Sequence, residues 1–81
     1  MYYEITLDNC IDFFDNFESV LGNEYKEEDC ILFVKAAQKL GYWLIADQDK
    51  IVVLKNQDEP MEYEEAEAAW NDILQNMSLV D

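Results

Sequence analysis

The chain has 81 residues, of which 19 are Asp or Glu, five are Lys and none is Arg or His, so its net charge is −14. Hydrophobic residues make up 51% of the chain, which argues against an acidic disordered segment, because disorder requires low hydrophobicity as well as high charge. The length indicates one small domain, and no apolar run approaches the roughly 20 residues needed to cross a bilayer. The N-terminus lacks the basic region and apolar core of a signal peptide, so we expect a cytoplasmic protein.

Residues 2–7 alternate in character along the chain and are rich in β-forming residues, which predicts a short first strand. Asp8 is a plausible N-cap for a first helix that ends at Gly22. Helical spacing predicts an inner stripe of Cys10, Ile11, Phe14, Phe17 and Leu21. The opposite face of this helix would carry Asp8, Asp12 and Asp15 as one ridge, with Glu18 to one side.

A second helix is predicted from about Lys26 to Leu40, with acids in its first turn, lysines toward its end and Gly41 as its stop. Its buried stripe would contain Cys30, Phe33, Val34, Ala37 and Leu40. Cys10 and Cys30 both fall on apolar faces, which favours two buried free thiols over a disulfide.

Two apolar strands over residues 42–46 and 51–55 flank a polar turn at residues 47–50, which is the clearest hairpin pattern in the chain. We assign Tyr42, Leu44, Val52 and Leu54 to one face and Trp43, Ile45, Ile51 and Val53 to the other. Because both faces are apolar, either both are covered or one meets a partner, which includes a homodimer through the hairpin.

After a polar link at residues 56–59, Pro60 suits the first position of a last helix that runs to about Met77. Its inner stripe would contain Tyr63, Ala66, Trp70, Ile73, Leu74 and Met77. The element order is therefore β-α-α-β-β-α. We predict a single α+β domain over residues 1–81, with a small antiparallel sheet of three strands packed against three helices.

The side-chain inventory argues against an enzyme. The chain has no His for acid–base chemistry near neutral pH and no Arg or Gly-rich loop to hold phosphate. Asp47 and Asp49 have the spacing of the first two ligands of a calcium loop, but Ile51 and Val52 stand where a third ligand and a glycine are needed. We therefore expect no cofactor and no metal.

Charge is concentrated at the two ends of the chain: residues 1–22 hold five acids and residues 58–81 hold eight, with no base in either. Neighbours at i, i+3 and i+4 on a helix lie about 5–6 Å apart, so such segments present regularly spaced negative charge. A protein that reads phosphates through Lys and Arg can bind such a surface instead of nucleic acid. The predicted partner-binding residues are Asp58, Glu59, Glu62, Glu64, Glu65 and Glu67 on the last helix and Asp8, Asp12 and Asp15 on the first, with the aromatic neighbours Tyr63 and Tyr25.

In size, acidity and α+β layout the chain resembles small phage-encoded inhibitors of the anti-CRISPR and DNA-mimic type. The resemblance implies a non-enzymatic inhibitor whose partner is a basic nucleic-acid-binding complex, such as a CRISPR effector. The high negative charge itself predicts that the chain contacts neither nucleic acid nor membrane directly. Two alternatives stay open. The chain fits an immunity protein or antitoxin that caps a basic nuclease toxin. It also fits a small accessory domain that dimerises through its apolar hairpin.

Overall fold

The computed structural model describes residues 2–56 and 59–80, apart from the side chains of Tyr2, Asn56, Glu59, Pro60 and Tyr63. The α+β class is confirmed. The strands are β1 (Tyr2–Glu4), β2 (Trp43–Asp47), β3 (Lys50–Asn56) and β4 (Glu59–Pro60). The helices are α1 (Glu18–Leu21), α2 (Glu27–Leu40) and α3 (Tyr63–Asn76). A 3₁₀ helix spans Cys10–Phe17 and a 3₁₀ turn spans Met77–Leu79. Within the described residues, no helix has the length and apolar content needed to span a membrane.

The sheet is an antiparallel meander in the order β1-β2-β3-β4, so the three predicted strands are joined by a fourth of two residues. The predicted faces of the hairpin were wrong. The two-residue turn pairs Asp47 with Lys50, so each even-numbered residue of β2 lies opposite an odd-numbered residue of β3. Cross-strand partners share a face. Leu44 and Val53 therefore face the same way, and both are buried in the core.

The helical layer meets the sheet through a core that contains two phenylalanines with no exposed surface. Phe17 of the 3₁₀ helix contacts Phe33 of α2 edge to face, with ring centroids 5.6 Å apart. Ala69 and Ile73 of α3 belong to the same buried cluster. These contacts hold the N-terminal acidic segment and the C-terminal helix against one core.

The first helix differs from the prediction because local hydrogen bonds occupy residues 4–9. The Asn9 side chain accepts from the Thr6 N–H at 2.7 Å and donates to the Glu4 carbonyl at 2.9 Å. Such bonds compete with helix formation. The strand therefore ends at Glu4, Asn9 rather than Asp8 precedes the helix, and the helix is of the 3₁₀ type up to Phe17. Its tighter turn leaves Ile11 37% exposed, so its predicted place in the inner stripe was wrong.

Helix α2 matches its predicted bounds closely. The Asp29 carboxylate accepts from the Lys26 backbone N–H at 2.7 Å, which fixes the start of the helix. Gly41 ends it with a φ of 86°, in the left-handed region that glycine adopts without strain. Leu40 was placed in the buried stripe but is exposed, as are the other residues of α2 after Ala37, so that prediction was wrong.

Helix α3 begins later than predicted, at Tyr63 with Glu62 as the preceding cap. Pro60 is not at its first position but lies in β4 opposite Leu54, in an edge strand where a missing N–H is tolerated. Leu74 was placed in the inner stripe but is 36% exposed, whereas Ala69 and Ile73 are buried. The helix therefore turns a slightly different face to the core than the spacing predicted.

Candidate acidic interface

The predicted acids of the first segment are exposed but do not form one ridge. Asp8 lies in the turn before the 3₁₀ helix, where its backbone N–H donates to the Thr6 hydroxyl. Asp12 and Asp15 lie on the helix, separated by Phe13, whose φ of −108° and ψ of 28° are non-helical. The ridge of Asp8, Asp12 and Asp15 was therefore wrong, because it assumed an unbroken α-helix.

Asp15 instead aligns with Glu18. Glu18 directly follows the 3₁₀ helix as the first residue of α1, and side chains three residues apart lie on the same side in both helix types. Both carboxylates line an open depression of about 530 Å³, together with Ser19 and with Asp49 from the β2–β3 turn. The sequence prediction set Glu18 to one side and treated Asp49 only as a turn residue. In the structure, Glu18 and Asp49 line the same depression as Asp15.

Asn16 fixes the hairpin turn against the 3₁₀ helix. Its side-chain amide donates to the carbonyl oxygens of Gln48 and Lys50, each at 3.0 Å. Asn16 is only 8% exposed and is the one buried polar residue among those the structure describes. The two bonds hold Asp49 beside Asp15 and Glu18. No local sequence pattern reveals this contact, because Asn16 is more than thirty residues from Gln48 and from Lys50 in the chain.

On α3, the acids at positions 62, 64, 65 and 67 are all exposed. They occupy different sides of the helix, since an α-helix turns about 100° per residue. Glu67 lies on the side that meets α1, where it lines a second depression of about 240 Å³ with Ser19 and Trp70. Glu64 is one turn from Glu67 and shares that side. Of the other predicted partner-binding residues, Asp58 and the side chains of Glu59 and Tyr63 lie outside the described part of the chain.

Ser19 lines both depressions, so the acids of the N-terminal segment and Glu67 of α3 border neighbouring parts of the surface. We call this surface the acidic stripe and define it as Asp49, Asp15, Glu18, Glu67 and Glu64. Its members come from three separate parts of the sequence. All five carboxylates of the stripe are exposed, and within the described residues no group of three or more acids or cysteines is arranged to hold a metal ion.

Tyr25, predicted as a possible contact residue beside the acids, is a packing residue. Its ring stacks on Phe14 with centroids 4.5 Å apart, and its hydroxyl donates to the Phe14 carbonyl oxygen. Burial raises the pKa of this hydroxyl above its usual value, with smaller contributions from Cys30, Asp15 and Glu18.

The prediction of two buried free thiols is confirmed: Cys10 and Cys30 have no exposed surface and are not joined. Burial, with smaller contributions from the neighbouring Cys10 and Asp29, raises the pKa of Cys30 to about 11. Burial also raises the pKa of Cys10. Both groups are therefore thiols at neutral pH, and thiolate chemistry is not available at either position.

The face of the sheet opposite the buried row carries Trp43, Ile45, Val52 and Leu54. Leu54 is 8% exposed and the other three are half-buried, and none of the four belongs to the main core cluster. We call these four residues the outer sheet face.

The chain was compared with models of protein families, with curated proteins and with solved structures. None of the three comparisons finds a match.

Proposed function

We propose that this protein is a non-enzymatic inhibitor that binds a nucleic-acid-binding protein or complex through the acidic stripe. The observation that supports the proposal is the position of Ser19, which lines both depressions and places acids from both ends of the chain on neighbouring parts of the surface. Acidity as such would be explained by solubility alone. The grouping of carboxylates from three parts of the sequence around Ser19 is not needed for solubility.

The stripe suits a partner that binds phosphates. Such proteins contact nucleic acid largely through Lys and Arg charges placed along the backbone. The stripe offers carboxylates spaced by helix turns, and residues 57–81 contain no Lys or Arg to neutralise Glu64 and Glu67. Occupation of the basic groove would exclude DNA or RNA by direct competition. A CRISPR effector in a bacterial cytoplasm is one target of this kind, and a basic nuclease toxin capped by its immunity protein is another.

The experiment compares two triple variants with the same net charge. The test variant carries Asp15→Asn, Glu18→Gln and Glu67→Gln, all within the stripe. The control variant carries Glu24→Gln, Glu28→Gln and Asp72→Asn, which are exposed positions elsewhere. Each tagged protein is incubated with nuclease-treated bacterial lysate, and the captured proteins are eluted with rising salt or with added DNA.

We expect the wild-type and control proteins to capture a nucleic-acid-binding complex that DNA releases, and the test variant to capture at least about tenfold less. Exposed charge pairs are screened by salt, so elution should occur at moderate ionic strength. Equal capture by the test and control variants would contradict the stripe as the binding surface. Recovery of a single nuclease, in place of a processing complex, would favour the immunity-protein alternative.

A second candidate function, an accessory dimerisation domain, is favoured by the outer sheet face. It predicts self-association that depends on Trp43 and Val52 and is indifferent to charge. Sedimentation equilibrium of wild type and of Val52→Lys, each at low and high salt, tests it. A wild-type dimer that persists in salt and is lost in Val52→Lys would support this candidate over the inhibitor.

A further inference from the structure

The outer sheet face is bordered at the hairpin turn by one acid and one base. The hairpin register places Asp47 opposite Lys50, Ile45 opposite Val52 and Trp43 opposite Leu54. Cross-strand partners point to the same side of a sheet, so these three pairs form three successive rows on one side. The charged row adjoins the two-residue turn, and the two apolar rows follow it along the hairpin.

This side of the sheet is open to a second molecule. The helices pack against the other side, where Phe17 and Ile73 share the core cluster with Leu44. Lys50 is exposed and Asp47 is half-buried. Within the described residues, neither Asp47 nor Lys50 forms an ion pair. Both charges are therefore available for contacts between molecules.

A two-fold axis along the seam between β2 and β3 makes these rows complementary to themselves. Such an axis turns β2 of one molecule onto β3 of the other at the same level, because the seam bisects each cross-strand pair. Asp47 then meets Lys50 of a second copy, and the apolar rows meet each other in the same way. In an isologous interface each contact occurs twice, so the dimer contains two ion pairs beside an apolar centre. Sheets that pack face to face lie about 10 Å apart, a gap that an aspartate and a lysine side chain span together.

We propose that the protein forms a two-fold dimer through the outer sheet face, and that reciprocal pairs of Asp47 and Lys50 set its register. A second copy suits this side better than a basic partner, because residues 42–57 hold two acids and two lysines and are neutral as a segment. Glu4 lies on the same side, opposite Ile45, but in the edge strand β1. The two-fold axis places Glu4 beyond β3 of the second copy, away from the charged row.

The dimer leaves the acidic stripe accessible. Four of the five stripe acids lie on helices, and the helices are on the side of the sheet that faces away from the interface. The proposal therefore goes beyond the inhibitor function and does not depend on it. It also differs from the accessory-domain candidate, whose self-association is indifferent to charge.

The experiment is sedimentation equilibrium over a range of protein concentrations at about 0.15 M salt, where charges more than about 8 Å apart are largely screened. The test variants are Asp47→Lys and Lys50→Glu, each of which sets like charges against each other across the two-fold axis. The control variants are Glu24→Lys and Lys39→Glu, which make the same changes of charge at exposed positions outside the sheet. An equimolar mixture of the two test variants restores opposite charges between molecules but not within either one. Circular dichroism confirms that each variant is folded.

We expect wild type and both controls to dimerise, each test variant to dimerise at least about tenfold more weakly, and the mixture to return to within about threefold of wild type. Asp47→Lys makes the net charge less negative, so it would dimerise more strongly than wild type if net charge alone governed association. A monomeric wild type, or a mixture that associates no better than its components, would overturn the proposal.

A dimer that neither test variant weakens would also overturn the proposal and would favour the charge-indifferent accessory domain. Capture of a nucleic-acid-binding complex from lysate tests the stripe separately. The dimer can therefore fail while the inhibitor function stands, and the inhibitor function can fail while the dimer stands.

Discussion

The two acidic ends of this chain place their charge in different ways. In the N-terminal segment, Asp15 and Glu18 are three residues apart and share one side, and Asn16 fixes Asp49 from the hairpin beside them. In α3, Glu64 and Glu67 share one side in the same way, whereas Glu65 lies on another side and no distant acid is held beside them. A tertiary contact, rather than helix type, thus gathers the acids of the N-terminal segment into one place.

The largest expected difference between the regions comes from two asparagines. Asn16→Ala leaves the carbonyls of Gln48 and Lys50 without their donor at a buried position, and unsatisfied buried groups cost about 1–3 kcal/mol. Asn76 donates to the Asp72 carbonyl at the surface of α3, so Asn76→Ala should change stability by less than about 0.5 kcal/mol. Urea denaturation measures both. Equal losses would show that the N-terminal segment does not depend on the Asn16 contacts.

Alkaline pH should also act on the N-terminal half, where Cys10, Tyr25 and Cys30 all have raised pKa values. Below pH 9 a thiol is protonated in both states and its contribution to stability is complete. Above that pH the unfolded chain loses the Cys30 proton first, and stability falls until the folded pKa of about 11 is reached. Urea midpoints measured between pH 8 and pH 11 should therefore decline. Cys30→Ala should decline less steeply, and an unchanged slope would exclude Cys30 as a cause.

The smallest expected effects have opposite signs in the two regions. Asp15→Asn removes one of several like charges beside Glu18 and Asp49, so thermal stability should rise. Glu64→Gln removes an acid from the first turn of α3, where the helix dipole favours negative charge, so stability should fall. Each change should stay below about 1 kcal/mol and shrink as salt is added. Melting temperatures at low and high salt measure both changes in stability. A change of the same sign in Asp15→Asn and Glu64→Gln would contradict the predicted difference between the two regions.

Much of the fold could be predicted from the sequence because its signals are local. Gly41 marks the end of α2, and the polar pair Gln48–Asp49 separates two strands at the predicted place. The errors arose where a distant or competing contact decided the outcome. The side-chain hydrogen bonds of Asn9 make Asn9, rather than the predicted Asp8, the residue before the first helix. Pairing with β3 places Pro60 in a strand rather than at the start of α3. The faces of the hairpin depended on the register of a two-residue turn, which the apolar pattern alone did not determine.

The candidate site was predictable only in part. The acids of α3 and the position of Asp15 were identified from charge density alone. Glu18 was set to one side because the prediction assumed a ridge of Asp8, Asp12 and Asp15, and Asp49 was missed because its proximity depends on the Asn16 bonds to the hairpin. No periodicity in the sequence distinguishes a 3₁₀ segment from an α-helix over eight residues. The grouping of acids around Ser19 is likewise a property of the packed molecule.

The pairing of β1 with β2 has a consequence for the chain during synthesis. Tyr2 pairs with Asp47 and Glu4 with Ile45, so the first strand is made some forty residues before its partner exists. During that interval Phe13, Phe14 and Phe17 have no sheet to pack against, and nascent chains with exposed aromatic residues tend to associate. The five acids of residues 1–22 separate such chains by repulsion. We therefore expect the N-terminal carboxylates to reduce aggregation of the nascent polypeptide before they belong to any folded surface.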